Sequence, residues 1–466
     1  MRFVMPQTYG ADWPVAWCNS IVESWANLDF HLDLSGPGGL RHRLTASLRE
    51  AVRSARLPPG TRLPASRSLA ADLGIARNTV AEAYAELVAE GWLTARQGSG
   101  TVVAQRVAPP APVLRRIVDA GVRFDLTVST PDITEFPRAE WIKSTRRALT
   151  AAPSEAFGPG DPQGRIELRT ALVEYLARAR GVRADPERIV ICSGFADAIR
   201  MFNQLLKPPT VVEEYGLGFH QSLWTSTVPL PVDDHGANTE QLPDERKVVV
   251  LTPAHQFPLG GPLHPRRGAS AVEWARRVDG LVLEDDYDGE FRYDRQPVGA
   301  VQGLDPEHVV YLGTSSKALS PALRIAWMVL PDRFVDPILA LKTDREQYIS
   351  MLDQLTLADF LTSGAYDSHV RRMRLTYQRR RDQLVEAVSP YMEVSGIAAG
   401  MHAVLDTPHE MAIVQAALER GIEVSPLSWF RHELSDDDRT GIVVSFGAPA
   451  FQRALPLFTE VLAACH

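Results

Sequence analysis

Residues 311–324 read YLGTSSKALSPALR: an apolar strand runs into a lysine among small hydroxyl residues, with an arginine seven positions on. The chain carries 44 arginines but only five lysines, at positions 143, 207, 247, 317 and 342. Guanidinium keeps its proton in proteins, whereas a lysine amine can lose it and become a nucleophile. A lysine placed here, in so arginine-rich a sequence, points to amine chemistry at Lys317. The plain alternative for this stretch alone is a surface lysine in a turn.

The surroundings favour the chemical reading. From residue 125 onward short apolar strands, RIVICSG (188–194), KVVVLTP (247–253), GLVLEDDY (280–287) and VVYLGT (309–314), alternate with helical segments such as IELRTALVEYLARARG. That alternation predicts an α/β body with a largely parallel, doubly wound sheet, and the mixed last ~90 residues predict a small α+β lobe. In such sheets ligands collect outside the carboxyl ends of the strands. GTSSK, VLEDDYDGEFRYD and LTPAHQFPLG all follow strands, and ICSGFADAIR puts a glycine between a strand and a helix N-terminus, an anion site. Pyridoxal phosphate needs this combination: a lysine, a carboxylate at the ring nitrogen, donors at the phenolic oxygen, and a helix end with arginine at the phosphate.

Composition bounds the rest. At 466 residues with 45% hydrophobic content, the chain is long enough for two domains with a substantial core. No apolar run approaches the ~20 residues that cross a bilayer. Residues 1–20 have no signal-peptide pattern. Cys18, Cys192 and Cys465 are scattered, offer neither a disulfide framework nor a metal site, and fit a reducing cytoplasm. The net charge of −8 opposes general polyanion binding, yet residues 36–103 hold nine Arg against five Asp plus Glu. A basic module on an acidic body suits nucleic acid.

Residues 1–35, with Trp13, Trp17 and Trp25, read as an extension of unassigned role. Residues 36–104 follow as three predicted helices and a Gly-tipped hairpin, which together make a winged helix-turn-helix. In the first helix Leu40, Leu44, Leu48 and Val52 form one apolar stripe. Gly74 closes the second, and Ala81, Tyr84, Leu87 and Val88 are expected core positions of the third. Arg77, Asn78 and Thr79 begin that third helix, where side chains reach base edges in the major groove. Ser66 and Arg67 begin the preceding helix; Arg96, Gln97, Gly98 and Gly100 form the wing. Residues 105–124, with APPAP, read as a semi-rigid linker to the body at 125–466.

PPGTRLPASRSLAADLGIARNTVAEAYAELVAEGWLTARQGSGTVV closely resembles the DNA-binding domain of the GntR family. FGPGDPQG, SGFADAI, TPAHQFPLG, EDDYDGEFRY and GTSSKALSPALR, in that order, resemble the fold-type I aminotransferase-like half of MocR-type regulators, a GntR subfamily. The resemblance implies a Schiff-base role for Lys317, Asp285 at the pyridine nitrogen and Tyr287 at the phenolic oxygen. It puts His255 where aminotransferases have an Asn at that oxygen. Phosphate would be held by Arg324, Thr314, Ser316 and the backbone of Gly194 and Phe195. Glu284 and Asp286 look like Asp285 from sequence; the two-residue spacing to Tyr287 favours Asp285.

The departures bear on function. Pro159 stands where the family offers a Tyr to the partner's phosphate, Ala76 where it often has Ser, and GFAD lacks a Gln pair. The ring that stacks on the cofactor falls near Tyr215 or Leu217. Val443 occupies the place of the carboxylate-binding Arg of ordinary aminotransferases, which lowers the expectation of efficient transamination. The resemblance thus implies a cytoplasmic transcriptional regulator on double-stranded operator DNA, a domain-swapped head-to-tail homodimer without membrane attachment. Its pyridoxal 5'-phosphate site would sense the cofactor itself, an amine or an amino acid through an internal aldimine. The alternatives are an active aminotransferase carrying a passenger DNA-binding domain, and a decayed site that serves as a dimerisation scaffold.

Overall fold

The computed structural model describes residues 38–465 apart from 54–55, 97–99, 105–121, 128–130, 207–208, 294–298 and 346–347. Residues 1–35, Gln97, Gly98 and most of the 105–124 linker lie outside the described residues. The chain divides into two compact units, Met1–Arg116 and Ile117–His466.

In the first unit helices Leu40–Arg53, Ser66–Leu73 and Arg77–Ala89 precede an antiparallel pair of strands, Leu93–Arg96 and Gly100–Val103. Leu44, Leu48, Val80, Ala83, Leu87, Leu93 and Val103 are almost fully buried together. The helical repeat of 3.6 shifts the expected stripe of the first helix. Ala51 is buried, Leu40 exposed and Val52 half-buried. Ala81 likewise faces solvent while Val80 and Ala83 fill the core, so the expectation for Ala81 is corrected by one position. Gly74 ends the second helix at φ 65°, a left-handed conformation, and its N–H closes on the Ala70 and Ala71 carbonyls.

The second unit is built on a seven-stranded sheet. We label its strands β1 (Ile189–Cys192), β2 (Pro209–Glu213), β3 (Ser226–Leu230), β4 (Val248–Leu251), β5 (Leu281–Asp286), β6 (Val309–Thr314) and β7 (Ala326–Val329). Their spatial order is β1-β7-β6-β5-β4-β2-β3. Pairings among β2 to β6 are parallel, while β7 runs antiparallel to both β6 and β1. A parallel pair needs a crossover of a dozen or more residues, usually with a helix. The stretch 315–325 holds no α-helix and turns the chain straight back, with Ser315 N–H and Oγ both donating to the Ile325 carbonyl. That tight return carries Lys317.

Helices cover both faces of the sheet. Phe195–Leu206 packs Ile199 and Phe202 on one side, and Pro265–Val278 packs Val272 and Trp274 on the other. A smaller lobe pairs strands Val394–Ser395, His402–Asp406, Gly441–Ser445 and Ser425–Pro426 beneath helices Ala365–Val388, Glu410–Glu419 and Phe451–Cys465. Phe124, at the end of the expected linker, is part of this unit: Phe124–Asp125 pairs in parallel with Ile422–Glu423. Among the described residues no helix is long and apolar enough to cross a membrane.

Candidate functional site: a lysine cavity at the carboxyl edge of the sheet

Because β1, β2, β4, β5 and β6 run parallel, their carboxyl ends meet on one edge. A cavity of about 440 Å³ opens there, lined among others by Gly194, Phe195, Asp285, Tyr287, Thr314, Ser316, Lys317 and Arg324. Residues scattered over 130 positions of sequence are thus neighbours.

Strand alternation separates the three carboxylates that look alike in sequence, since successive side chains point to opposite faces. Glu284 turns inward and accepts the N–H groups of Val301 and Gln302, at 3.0 and 2.9 Å. Asp286, on that same face, receives Arg180 Nε at 2.5 Å and the Tyr311 hydroxyl at 2.6 Å. Asp285 alone of the three lines the cavity, and it has no hydrogen-bond or ion-pair partner among the described residues. Burial, with Asp286, Asp288 and Glu213 close by, holds its carboxyl well above the usual carboxylate range; the Lys317 amine pulls the other way. A buried, unpartnered carboxyl in that state is the kind of group that a cationic partner such as a protonated ring nitrogen would return to its charged form.

Burial lowers Lys317 from the ordinary lysine value, against the opposing pull of Asp288 and Asp285. Desolvation thereby favours the uncharged, nucleophilic amine. Lys342 is also buried and lowered, but it lies off the cavity and donates to the Ile191 carbonyl.

The far end of the cavity is an anion cradle. Phe195 starts the twelve-residue helix Phe195–Leu206, whose first N–H groups face the cavity end with the positive end of the helix dipole. Asp197, where GFAD departs from a Gln pair, folds back instead: its carboxylate accepts Ser193 N–H at 3.0 Å and Ser193 Oγ at 3.1 Å. Gly194 has φ 145°, and a Cβ built on it would come 3.4 Å from Arg324 Nη2, inside the cradle. Arg324 itself takes φ 53°, a strained backbone for a side-chain-bearing residue. Thr314 Oγ1 donates to Ser316 Oγ at 2.9 Å and accepts Ser316 N–H at 3.1 Å, so both hydroxyls are held at the rim.

Two of the expected positions gain detail. His255, placed by the sequence at the phenolic oxygen, is buried behind Tyr287 and does not line the cavity; Phe257 does. Its Nδ1 lies 3.0 Å from both the Tyr287 hydroxyl and Asp288 Oδ2, and the ring fills space that a Cβ on Gly400 would take. His255, Asp288 and His402 each put one ligand-type atom within 4.8 Å of the others, but Asp288 already shares His255 Nδ1, and His402 Nε2 lies 3.1 Å from the Pro258 carbonyl. Tyr215 lines the cavity but commits its hydroxyl to Asp437 at 2.8 Å.

The sequence reading missed His220 and Glu213. His220 lines the cavity beside Phe195, ring centroids 5.0 Å apart, and burial with Lys317 nearby pushes it down to about 4, so its ring is neutral. Nothing in the spacing of GLGFHQ announces it. Glu213 ends β2 in VVEEYG and its strand-end position was the available signal. It accepts Thr252 Oγ1 at 2.5 Å, Thr252 N–H at 3.1 Å and Gln256 Nε2 at 3.2 Å, and burial pushes it up to about 7.

That shift has a testable sign. A carboxyl that titrates near 7 when folded and near 4.5 when unfolded keeps a proton the unfolded chain has lost. Its stabilising protonation is complete below the unfolded value and is lost as pH rises through the folded one. Glu213→Gln, permanently neutral, should therefore have a Tm deficit against the parent that shrinks from about pH 5 to about pH 8. The difference cancels His402 and His369, whose lowered values act in the opposite sense. A deficit that grows with pH refutes the assignment.

In the first unit Arg67, Arg77 and Asn78 are exposed, Ser66 and Thr79 half-buried. Helix Arg77–Ala89 starts at Ala76 with no side-chain cap, so its N-terminal N–H groups face outward unclaimed by a cap. Arg96 ends the first wing strand and Gly100 starts the second.

The donor set fits pyridoxal 5'-phosphate: a nucleophilic lysine, an unpartnered carboxyl, a phenol, and a cradle that only glycine leaves open. A winged helix joined to such a cavity defines a DNA-binding protein with a body of the pyridoxal-phosphate aminotransferase type. The comparisons agree. Residues 40–103 match the bacterial regulatory proteins, gntR family, and residues 124–442 match aminotransferase class I and II. The chain is 31% identical to the regulatory protein MocR of Rhizobium meliloti, over 85% of this chain and 88% of that one. It is 29% identical to the HTH-type pyridoxine biosynthesis transcriptional regulator PdxR of Corynebacterium glutamicum, over 91% and 95%. A kynurenine aminotransferase of Pyrococcus horikoshii shares the body's fold, with TM-score 0.67, 23% identity and coverage of 74% of this chain and 92% of that one. The chain belongs to the MocR-type subfamily of GntR regulators: it is a DNA-binding transcriptional regulator whose cofactor is pyridoxal 5'-phosphate.

Proposed function

We propose that the aminotransferase-like body is the sensor of this regulator, reading pyridoxal phosphate or an amine through Lys317 and setting the DNA affinity of the winged helix. The observation that carries this reading is the convergence of Lys317, Asp285, Tyr287 and the Gly194–Arg324 cradle in one cavity of a chain that also has a DNA-binding unit. Bound pyridoxal phosphate supplies an electrophilic aldehyde on an aromatic ring. Lys317 offers the uncharged amine to which that aldehyde attaches. Asp285 would accept a hydrogen bond from the protonated ring nitrogen, and Tyr287, braced by His255 and Asp288, would donate to the phenolic oxygen. Arg324, Thr314, Ser316 and the N–H groups at Gly194 and Phe195 take the phosphate. His220 presents a neutral ring to the cavity.

In this reading Arg67, Arg77, Asn78 and Thr79 meet base edges and phosphates, with Ser66, Arg96, Gln97 and Gly98 on the backbone. The units 36–104 and 125–466 act as head and sensor across the 105–124 linker, in a head-to-tail homodimer in the cytoplasm. A ligand shifts the output only through differential affinity for the two head arrangements. The test is a mobility-shift titration on DNA upstream of the protein's own gene, with and without pyridoxal phosphate. A specific complex whose affinity changes with cofactor is expected; a complex indifferent to both cofactor and added amines overturns the sensor reading.

A further inference from the structure

Among the described residues, the wall of the cavity opposite the phosphate cradle contains no cation. The cationic residues lining the cavity are Arg200, Lys317 and Arg324. Lys317 and Arg324 belong to the lysine and phosphate ends, and Arg200 lies exposed on the phosphate-end helix, its Nη1 3.5 Å from the Ala196 carbonyl.

The opposite wall comes from one face of the small-lobe sheet. In its antiparallel register His402 pairs with Ser445 and Val404 with Val443, so these four share a face. His402 and Ser445 reach the cavity together with Met401, Tyr215 and Phe257. Val443 does not: it is fully buried among Tyr215, Val404, Leu427 and Phe430. The place is therefore sealed as well as uncharged. His402 is pushed down to about 3 by burial beside His255, and so brings no charge. Described arginines outside this wall are committed elsewhere, Arg292 among them, with Nη1 donating to the Ala254 carbonyl at 3.0 Å. Arg439 holds Asp437 at 2.7 Å and Glu214 at 3.4 Å, and Arg431 donates to the Asp437 carbonyl. The acidic groups here, Asp285 and Glu213 lining the cavity and Asp288 behind it with Oδ1 lacking a hydrogen bond, offer a ligand carboxylate no cation.

An α-amino acid joined to the cofactor at the lysine position would have to bury its carboxylate within a few ångströms of the bonded nitrogen. Unpaired, that burial is strongly unfavourable. Resting on the sensor reading above, we infer that the ligand taken beside Lys317 is a primary amine with no carboxylate on its amine-bearing carbon and with an apolar or aromatic substituent. The substituent lies on Phe257, Met401 and Tyr215. In the exchange one carbon–nitrogen double bond to Lys317 breaks and one to the ligand nitrogen forms. The two amine protons of the ligand pass to the lysine nitrogen, so nothing else is consumed.

The test uses the full-length protein loaded with pyridoxal phosphate and a matched pair, 2-phenylethylamine and L-phenylalanine, read by calorimetric affinity and by the change in cofactor absorbance. The amine is expected to bind about tenfold or more tightly than the amino acid, the penalty of one unpaired carboxylate. Equal or tighter binding of L-phenylalanine overturns the inference and leaves the sensor reading intact. Silence toward both overturns it too, and a DNA affinity that still follows pyridoxal phosphate then shows that the sensor reading survives with the cofactor as the signal. Loss of that cofactor response as well would mark failure of the sensor reading itself.

Discussion

Lys317→Arg abolishes the visible absorbance that pyridoxal phosphate acquires on linkage to an amine, while the protein remains folded. Burial works against a cation at this position, but Asp288 and Asp285 both pull toward the charged form and partly offset that cost. Arginine keeps that charge and a similar length, but its guanidinium does not shed a proton and cannot serve as the nucleophile. The loss should be complete rather than partial, because no other lysine lines the cavity among the described residues. Lys143→Arg, on the exposed side of the helix Arg138–Ala151, is the matched control and keeps the band. Spectra and thermal unfolding of both variants decide the matter. A Lys317→Arg protein that stays yellow refutes the assignment, and the cofactor-dependent change in DNA affinity should vanish with the band.

Arg77→Ala weakens specific DNA binding by about 5- to 150-fold, the ~1–3 kcal/mol typical of one lost base contact. Arg77 is exposed at the first position of its helix, one residue beyond the uncapped Ala76, while the core of that helix is carried by Val80, Ala83 and Leu87. Truncating it removes a charge at the helix N-terminus without opening the core, so the fold and the cofactor absorbance are retained. The salt dependence separates two ways of failing. Loss of a phosphate contact lowers the slope of log affinity against log salt by about one and affects all sequences alike. Loss of a base contact leaves the slope and erodes discrimination against non-cognate DNA. Unchanged affinity by mobility shift would remove Arg77 from the interface.

Much of this was legible beforehand because it is local. The winged-helix order is written in the spacing of Leu44, Leu48, Tyr84 and Leu87 and in Gly74, and each depends on residues within a few turns. Strand ends were equally legible: an apolar run that stops at SSK or EDDY places Lys317 and Asp285 on the carboxyl edge as soon as the sheet is parallel. Where a neighbour in space is distant in sequence, the reading had no signal. His255 has its Nδ1 3.0 Å from the Tyr287 hydroxyl, and its imidazole fills space left by Gly400, 145 positions on. The β7 reversal was missed because AWMV looks like any buried strand, and its direction depends on the short return through 315–325.

The amino-acid sequence by itself determined the class of chemistry and of partner: one lysine where amine chemistry is possible, strand ends that gather acid and hydroxyl groups, and a basic winged helix. These follow from period, spacing and residue type, which need no knowledge of long-range contacts. Only the tertiary structure decided which carboxyl meets the cavity, that Glu213 and His220 join it, and that Val443 is walled in by Tyr215 and Phe430. The reason is that burial and charge are properties of an environment. Asp285 and Asp286 are the same side chain one position apart, and packing alone leaves the first without a partner while pairing the second with Arg180.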